Sequence, residues 1–302
     1  MNVSWDELQK MQNGVRLLGI VSGIVTFVGI LFTIVAFRTP PTGLLVLAGA
    51  TMAAVIGWVT FSRRQKEFRS AYKQLVINNA AAGMFDRYLY SPEAGISRDE
   101  IAATGIMSLG NRYSSEDMVE GVYKGVPFRR ADMYIADHRS NGKSSYTVVY
   151  LRGSWLTFQY NKKFLADLQV CTKDFGYERA KTSRLFNSKE ERRHKFETES
   201  IEFNRAFDCN CQQDAEAFYL LTPVLMQGLM RLAAESDGKI MVGFVNNLIH
   251  VAIKSNKNSL EPPVFHRISD NDIREIQREI HAVTSFVEGM RIDNKIFMQT
   301  KY

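Results

Sequence analysis

Two uncharged stretches near the N-terminus constrain this chain more than anything else in it. Leu17 to Phe37 is a run of 21 residues without a charged side chain, bounded by Arg16 and Arg38. As a helix it reaches roughly 31 Å, about the hydrocarbon thickness of a bilayer. Leu44 to Phe61 is a second such run, of 18 residues, and reaches roughly 27 Å. The link Arg38-Thr39-Pro40-Pro41-Thr42-Gly43 joins them; its prolines stop a helix and its glycine lets the chain reverse. The expectation is a transmembrane hairpin, spans 17–37 and 44–61, inside an N-terminal region 1–62. A cleavable signal peptide fits poorly, because the first run is too long, lacks a small-x-small site and is followed by a second span. Gly19 and Gly23 on the first run, and Gly49, Ala53 and Gly57 on the second, are spaced to let two helices approach closely. Ser4 and Glu7 match a capping box, with Val3 and Leu8 at the staple positions and Trp5 placed to sit at the interface.

Orientation follows from the cations. Lys10 and Arg16 precede the hairpin, Arg38 alone lies in the loop, and Arg63, Arg64, Lys66, Arg69 and Lys73 follow. Basic residues stay on the cytoplasmic side, so both termini are expected there. The five that follow the hairpin, in a juxtamembrane helix expected over 63–90, are candidates for contact with anionic lipid headgroups, each contributing on the order of 1 kcal/mol; topology setting alone also accounts for them. The formal net charge of +6 agrees with an anionic neighbour, and lipid rather than nucleic acid is expected. Three cysteines, Cys171, Cys209 and Cys211, are an odd number and too few to staple a fold of this size, which points to a reducing compartment.

Beyond residue 91 the pattern changes to short strands and tight turns. Met118–Tyr123 and Val126–Ile135 read as a hairpin about Lys124-Gly125, Tyr146–Leu151 and Trp155–Tyr160 as a second about Gly153-Ser154, and Lys239–Val245 and Leu248–Ile253 as a third about Asn246-Asn247. Thr222 and Pro223 mark a helix start. Ser269 or Asp270 starts another, with Ile273, Ile276, Ile280, Val283, Val287 and Met290 on one face, suited equally to packing on the sheet or to dimerisation. The fold class is therefore α+β with a mainly antiparallel sheet: a soluble domain over 91–268, then a C-terminal helix and tail over 269–302. Residues 173–195 are rich in charge and poor in apolar bulk, and read as an exposed basic insertion.

Chemistry is harder to find. Gly142-Lys143-Ser144 ends like a phosphate-binding loop, but Asp137 stands where its first glycine belongs and a strand follows. Ser70-x-x-Lys73 and Ser269-Asp270-Asn271 resemble two penicillin-recognising motifs, without the third. Cys209-x-Cys211 offers two thiolates, yet no histidine shows the paired spacing of a zinc site, and two residues on one side of a strand are more often core. His250 likewise reads as a satisfied core or edge residue. Ser115, Glu116 and Asp117, with Ser114, form the densest polar cluster, a weak candidate site with no histidine beside it. No metal or cofactor is expected.

Several stretches resemble a bacterial family known as domain of unknown function 3137: Gly95-Ile96-Ser97, Ser115-Glu116-Asp117 with Val119-Glu120-Gly121, Gly125-Val126-Pro127-Phe128, Glu202-Phe203 with Phe207, and Glu216 through Pro223. They succeed one another in order from about Gly95 to Ile253. The chain departs at Leu151-Arg152-Gly153-Ser154-Trp155, where an aromatic usually precedes Arg-Gly, and in the 173–195 insertion. The resemblance implies a multi-pass bacterial inner-membrane protein with two spans ahead of the domain, and it carries over no activity, since the family has no established catalytic residues. The expected function is a membrane-anchored cytoplasmic binding or scaffold module with a protein or lipid partner, able to self-associate through its helices. The alternatives are a membrane-bound hydrolase or transferase using Ser115, Glu116 and Asp117, and an accessory subunit of a membrane complex or transporter.

Overall fold

A computed structural model describes residues 4–36, 42–161, 163–177, 193–236, 239–255, 262, 264–265 and 268–290, which divide between two compact units.

The first unit, residues 1–79 with 259–276, is built on two long helices, α1 (Trp5–Ala36) and α2 (Thr42–Ala81). The capping box forms in both directions: the Ser4 backbone N–H donates to the Glu7 carboxylate (2.9 Å) and the Glu7 N–H to Ser4 Oγ (3.3 Å). Both helices are long and apolar enough to cross a membrane. Phe27, Phe32, Ile34, Val35, Met52, Val55 and Ile56 all stand exposed along them, as lipid-facing side chains do. Small residues set the approach. A Cβ on Gly57 would lie 2.9 Å from Ser22 Oγ and one on Gly29 3.0 Å from the Ala50 Cβ, while Gly23 and Gly49 meet nothing within 4 Å. The contact stripe therefore runs through Gly29 rather than through the Gly19/Gly23 pair as a unit. Trp58 Nε1 donates to Thr26 Oγ1 (3.1 Å) across the pair.

Past the apolar run α2 does not break, and Phe61, Phe68, Tyr72, Val76 and Ile77 stay buried along it, as do Leu8, Gln12 and Val15 on α1. Arg63, Arg64, Lys66 and Arg69 are exposed, but Lys73 is 3% exposed and is not part of a surface collar. Lys66 and Lys73 share a helix face two turns apart, and the difference lies in the turn that Lys73 occupies, where Tyr72, Val76 and Ile77 are also buried. The helix also stops at Ala81 instead of running to 90.

The second unit, residues 80–258 with 277–302, holds a sheet with nine strands among the described residues: β1 (Arg87–Ser91), β2 (Arg112–Tyr123), β3 (Val126–Ser140), β4 (Ser145–Gln159), β5 (Leu168–Thr172), β6 (His194–Phe196), β7 (Phe207–Cys211), β8 (Ile240–Val245) and β9 (Leu248–Lys254). Their order is β1-β2-β3-β4-β9-β8-β5-β7-β6, and every neighbouring pair is antiparallel. The β2–β3 turn places Lys124 and Gly125 at φ 48° and 79°, the positive pair that a tight hairpin needs. The hairpin expected about Gly153 does not exist. β4 runs unbroken through it, and the turn lies earlier, where Asn141 Oδ1 accepts from the backbone of Lys143 and Ser144. Gly153 instead marks a close approach: a Cβ there would stand 2.1 Å from the Ile253 carbonyl oxygen on β9.

One sheet face carries Ala131, Met133, Trp155 and Met241, packed by Ile101, Ile106 and Met107, of which Ile101 lies on α3 (Arg98–Thr104). The opposite face presents Phe158, whose ring stacks on Phe286 at 4.5 Å and 17°. Phe286 lies on α7 (Asp270–Gly289), where Ile280, Val283 and Val287 are also buried. The C-terminal part of α7 thus packs on the sheet through Phe286. Beside it α6 (Pro223–Glu235) begins as expected, with Thr222 Oγ1 accepting from the Leu225 N–H, and Gly228 lets the Gly289 backbone come close. Short α4 (Ile201–Ala206) and α5 (Asp214–Leu220) flank β7.

The ends of the basic insertion belong to the fold. Phe175 is fully buried, and Arg193 donates to the Thr104 and Gly105 carbonyls and pairs with Asp167 at 2.8 Å. Residues 178–192 lie outside the described residues.

Candidate functional site

Strand register builds a groove on the α3 side of the sheet. Leu89, Glu120, Arg129 and Thr157 face one another across β1, β2, β3 and β4, and the row continues under cover to buried His250 on β9. The row two residues along carries Arg87, Val122 and Pro127, with Gln159 and Leu248 farther across. Alternation along a strand puts these two rows on the same face. Since α3 covers the centre of that face, the end near β1 is left open as a groove of about 690 Å³, within the ~300–1,000 Å³ of typical binding clefts. Apolar Leu89, Val122, Pro127 and Leu248 line it together with Thr157, Gln159 and Asn247.

The charges nearly cancel. Arg129 forks onto Glu100 of α3 with both of its terminal nitrogens, and the positive charge of Arg87 is offset by the negative charge of Glu120 among the lining residues. Glu100 is held ready, because Ser97 Oγ caps α3 by accepting from the Glu100 N–H (3.2 Å). Behind Thr157, His250 is 2% exposed and its Nδ1 lies 3.3 Å from the Trp155 indole nitrogen. Burial, opposed by Glu100 and reinforced by Arg129, pushes the imidazole down to about 4. It is a neutral, satisfied core histidine.

Ser115, Glu116 and Asp117 lie outside the groove and do not converge. A register shift in β2 between Glu116 and Val119 turns Asp117 inward at φ 58°, fully buried, while Glu116 stays exposed. The Tyr90 hydroxyl donates to the Asp117 carboxylate (2.6 Å), and the Asp117 N–H donates to the Pro92 carbonyl (3.0 Å). Burial and that carboxylate hold the Tyr90 phenol well above its usual range. Ser115 Oγ accepts from the Ile96 N–H and donates to the Asp132 carbonyl, both at 3.1 Å. The cluster fastens the 91–97 segment to the sheet, which a sequence cannot distinguish from a site because both uses want short polar side chains.

A further constellation, on β6, β7 and α5, joins Cys211 of the Cys209-x-Cys211 pair to two residues that the sequence does not single out. His194 is the register partner of Cys211, and Asp214 follows at the start of α5, its carboxylate 2.7 Å from His194 Nε2. Cys211 Sγ lies 3.8 Å from the same nitrogen and 3.4 Å from the same carboxylate oxygen. Cys209, one pleat back, packs in the core. Burial first, then the hydrogen bond to Asp214, pushes the Cys211 thiol up to about 12, while the His194 and Cys211 hydrogen bonds hold Asp214 below the usual carboxylate value. A thiol raised so far is no activated nucleophile. The pairing is long-range, since 17 residues separate His194 from Cys211, and no short motif spans that distance.

A family model described as a protein of unknown function, DUF3137, matches residues 149–292, from within β4 to just past α7. No curated protein matches the sequence. Among solved structures the chain is similar to the crystal structure of the mycobacterial trehalose monomycolate transport factor A, TtfA, with 11% identity and a TM-score of 0.41, covering 73% of this chain and 95% of that one. Over residues 149–292 the chain therefore matches the DUF3137 family, the one its motifs resemble.

Proposed function

We propose that this protein is a binding or scaffold module, anchored in a bacterial inner membrane by α1 and α2 with both termini cytoplasmic, whose groove takes an extended segment of a protein partner. The groove carries this reading. Its size suits a short peptide, its charge balance favours no anionic headgroup over a neutral chain, and one wall is β1, the end of the strand order among the described residues, the kind of position to which an extended segment adds as a further strand. Among the described residues, Glu120 is the one carboxylate lining it, and no histidine, cysteine or serine joins it there, which supports binding over acid–base chemistry. The membrane side is argued from the cations that follow α2's apolar run.

Photo-crosslinking amino acids placed at Leu89 and Gln159 in the groove, and at exposed Ile201 on α4 as a reference, test the proposal in intact cells. The expected result is one discrete adduct shared by the two groove positions and absent at Ile201. No adduct at either groove position, or the same adducts at all three, overturns it.

A further inference from the structure

His194, Cys211 and Asp214 hold three metal-ligating atoms within 4.8 Å of one another. Ideal tetrahedral zinc, with bonds of about 2.3 Å to sulfur and about 2.0–2.2 Å to nitrogen and oxygen, sets such atoms about 3.4–3.6 Å apart. The sulfur-to-nitrogen and sulfur-to-oxygen separations, 3.8 and 3.4 Å, already lie within a few tenths of an ångström of that. The nitrogen and oxygen, drawn to 2.7 Å by their own hydrogen bond, need to open by about 0.7 Å. Both belong to side chains more than half exposed, 52% for His194 and 62% for Asp214, so the opening needs only rotamer adjustment.

A competing use of the same residue types is a Cys-His-Asp catalytic triad. That requires thiol and carboxylate on opposite ring nitrogens, so that the imidazole passes a proton on one side while the acid orients it from the other. Here both face Nε2. Convergence of three donors on one point is the arrangement of a metal site.

The backbone is also prepared for it. His194 and Cys211 are opposed in register on β6 and β7, and Arg193, anchored to the Thr104 and Gly105 carbonyls and to Asp167, fixes the residue before His194. Cys211 forms a buried base, and the exposed pair leaves an entry path.

We propose that His194, Cys211 and Asp214 form a zinc site with one thiolate, one imidazole and one carboxylate ligand and an open fourth position. It sits at the β6 edge of the sheet, away from the β1 edge that bounds the groove, and does not depend on the groove's function. A borderline-soft divalent ion suits this mixed set better than magnesium or calcium, which favour oxygen alone.

Cobalt(II) serves as the probe, titrated into the full-length chain purified in detergent without a histidine tag. The expected result is about one cobalt per chain, with a thiolate-to-cobalt charge-transfer band in the near ultraviolet that zinc abolishes. Cys211→Ser should lose the band and Cys209→Ser should keep it. Because Cys211 is buried, His194→Ala at an exposed position gives the second reading, with affinity expected to fall by about tenfold or more and circular dichroism unchanged. Absence of the band in the wild-type chain, or full-affinity binding in His194→Ala, overturns the assignment.

Discussion

Acidification should destabilise this protein through His250 in a way that a single substitution removes. The imidazole is 2% exposed, hydrogen-bonded to Trp155, and lowered from 6.5 to about 4. Glu100 and Arg129 are the charged groups that act on it, in opposite directions. Above the unfolded value both states are neutral and nothing is lost. As pH falls from about 6.5 towards about 4 the unfolded chain takes up a proton that the native chain refuses, so stability declines across that window and levels off below it. A shift of about 2.5 units at about 1.36 kcal/mol each amounts to about 3 kcal/mol in full, of which about 2 kcal/mol is lost by about pH 5. Urea unfolding of the detergent-solubilised chain at about pH 7 and about pH 5, for wild type and His250→Gln, isolates this contribution, because carboxylates titrate alike in both. The wild type should lose about 2 kcal/mol more than the variant between the two conditions. Equal losses would refute the picture of a neutral buried histidine.

Two further substitutions probe the packing. Asp117→Ala leaves the Tyr90 hydroxyl without its 2.6 Å acceptor and should cost about 1–3 kcal/mol in unfolding free energy, with groove crosslinking at Leu89 unchanged once folded; loss of that adduct in a protein of wild-type stability would give the cluster a functional role. Phe286→Ala removes the stack on Phe158, where both rings are at most 1% exposed, and should lower stability by about 3–5 kcal/mol; an unchanged urea midpoint would mean that α7 does not dock there.

Elements governed by local rules are legible in the sequence alone. Ser4 with Glu7, Thr222 with Pro223, Lys124-Gly125 and the two apolar runs each act over a few residues or one contiguous stretch, and each appears where those rules put it. The departures share a cause. Gly153 looks like a turn in sequence, yet its absent side chain serves the approach of Ile253, a neighbour 100 positions away. Lys73 looks like its cationic neighbours, but the α2 turn it occupies buries it. β1 carries no strand pattern because Arg87–Ser91 pairs only at an edge, where one face need not be apolar.

The pair of long apolar helices and the α+β class were settled by the sequence, because hydrocarbon length and side-chain periodicity are properties of contiguous chain. Which strands become neighbours is not such a property. Only strand register brought Leu89, Arg129 and Gln159 to one groove, set His194 opposite Cys211, and turned Asp117 inward. Sites of this kind depend on pairings between distant segments, whose order is fixed by burying the whole sheet at once rather than by any local preference.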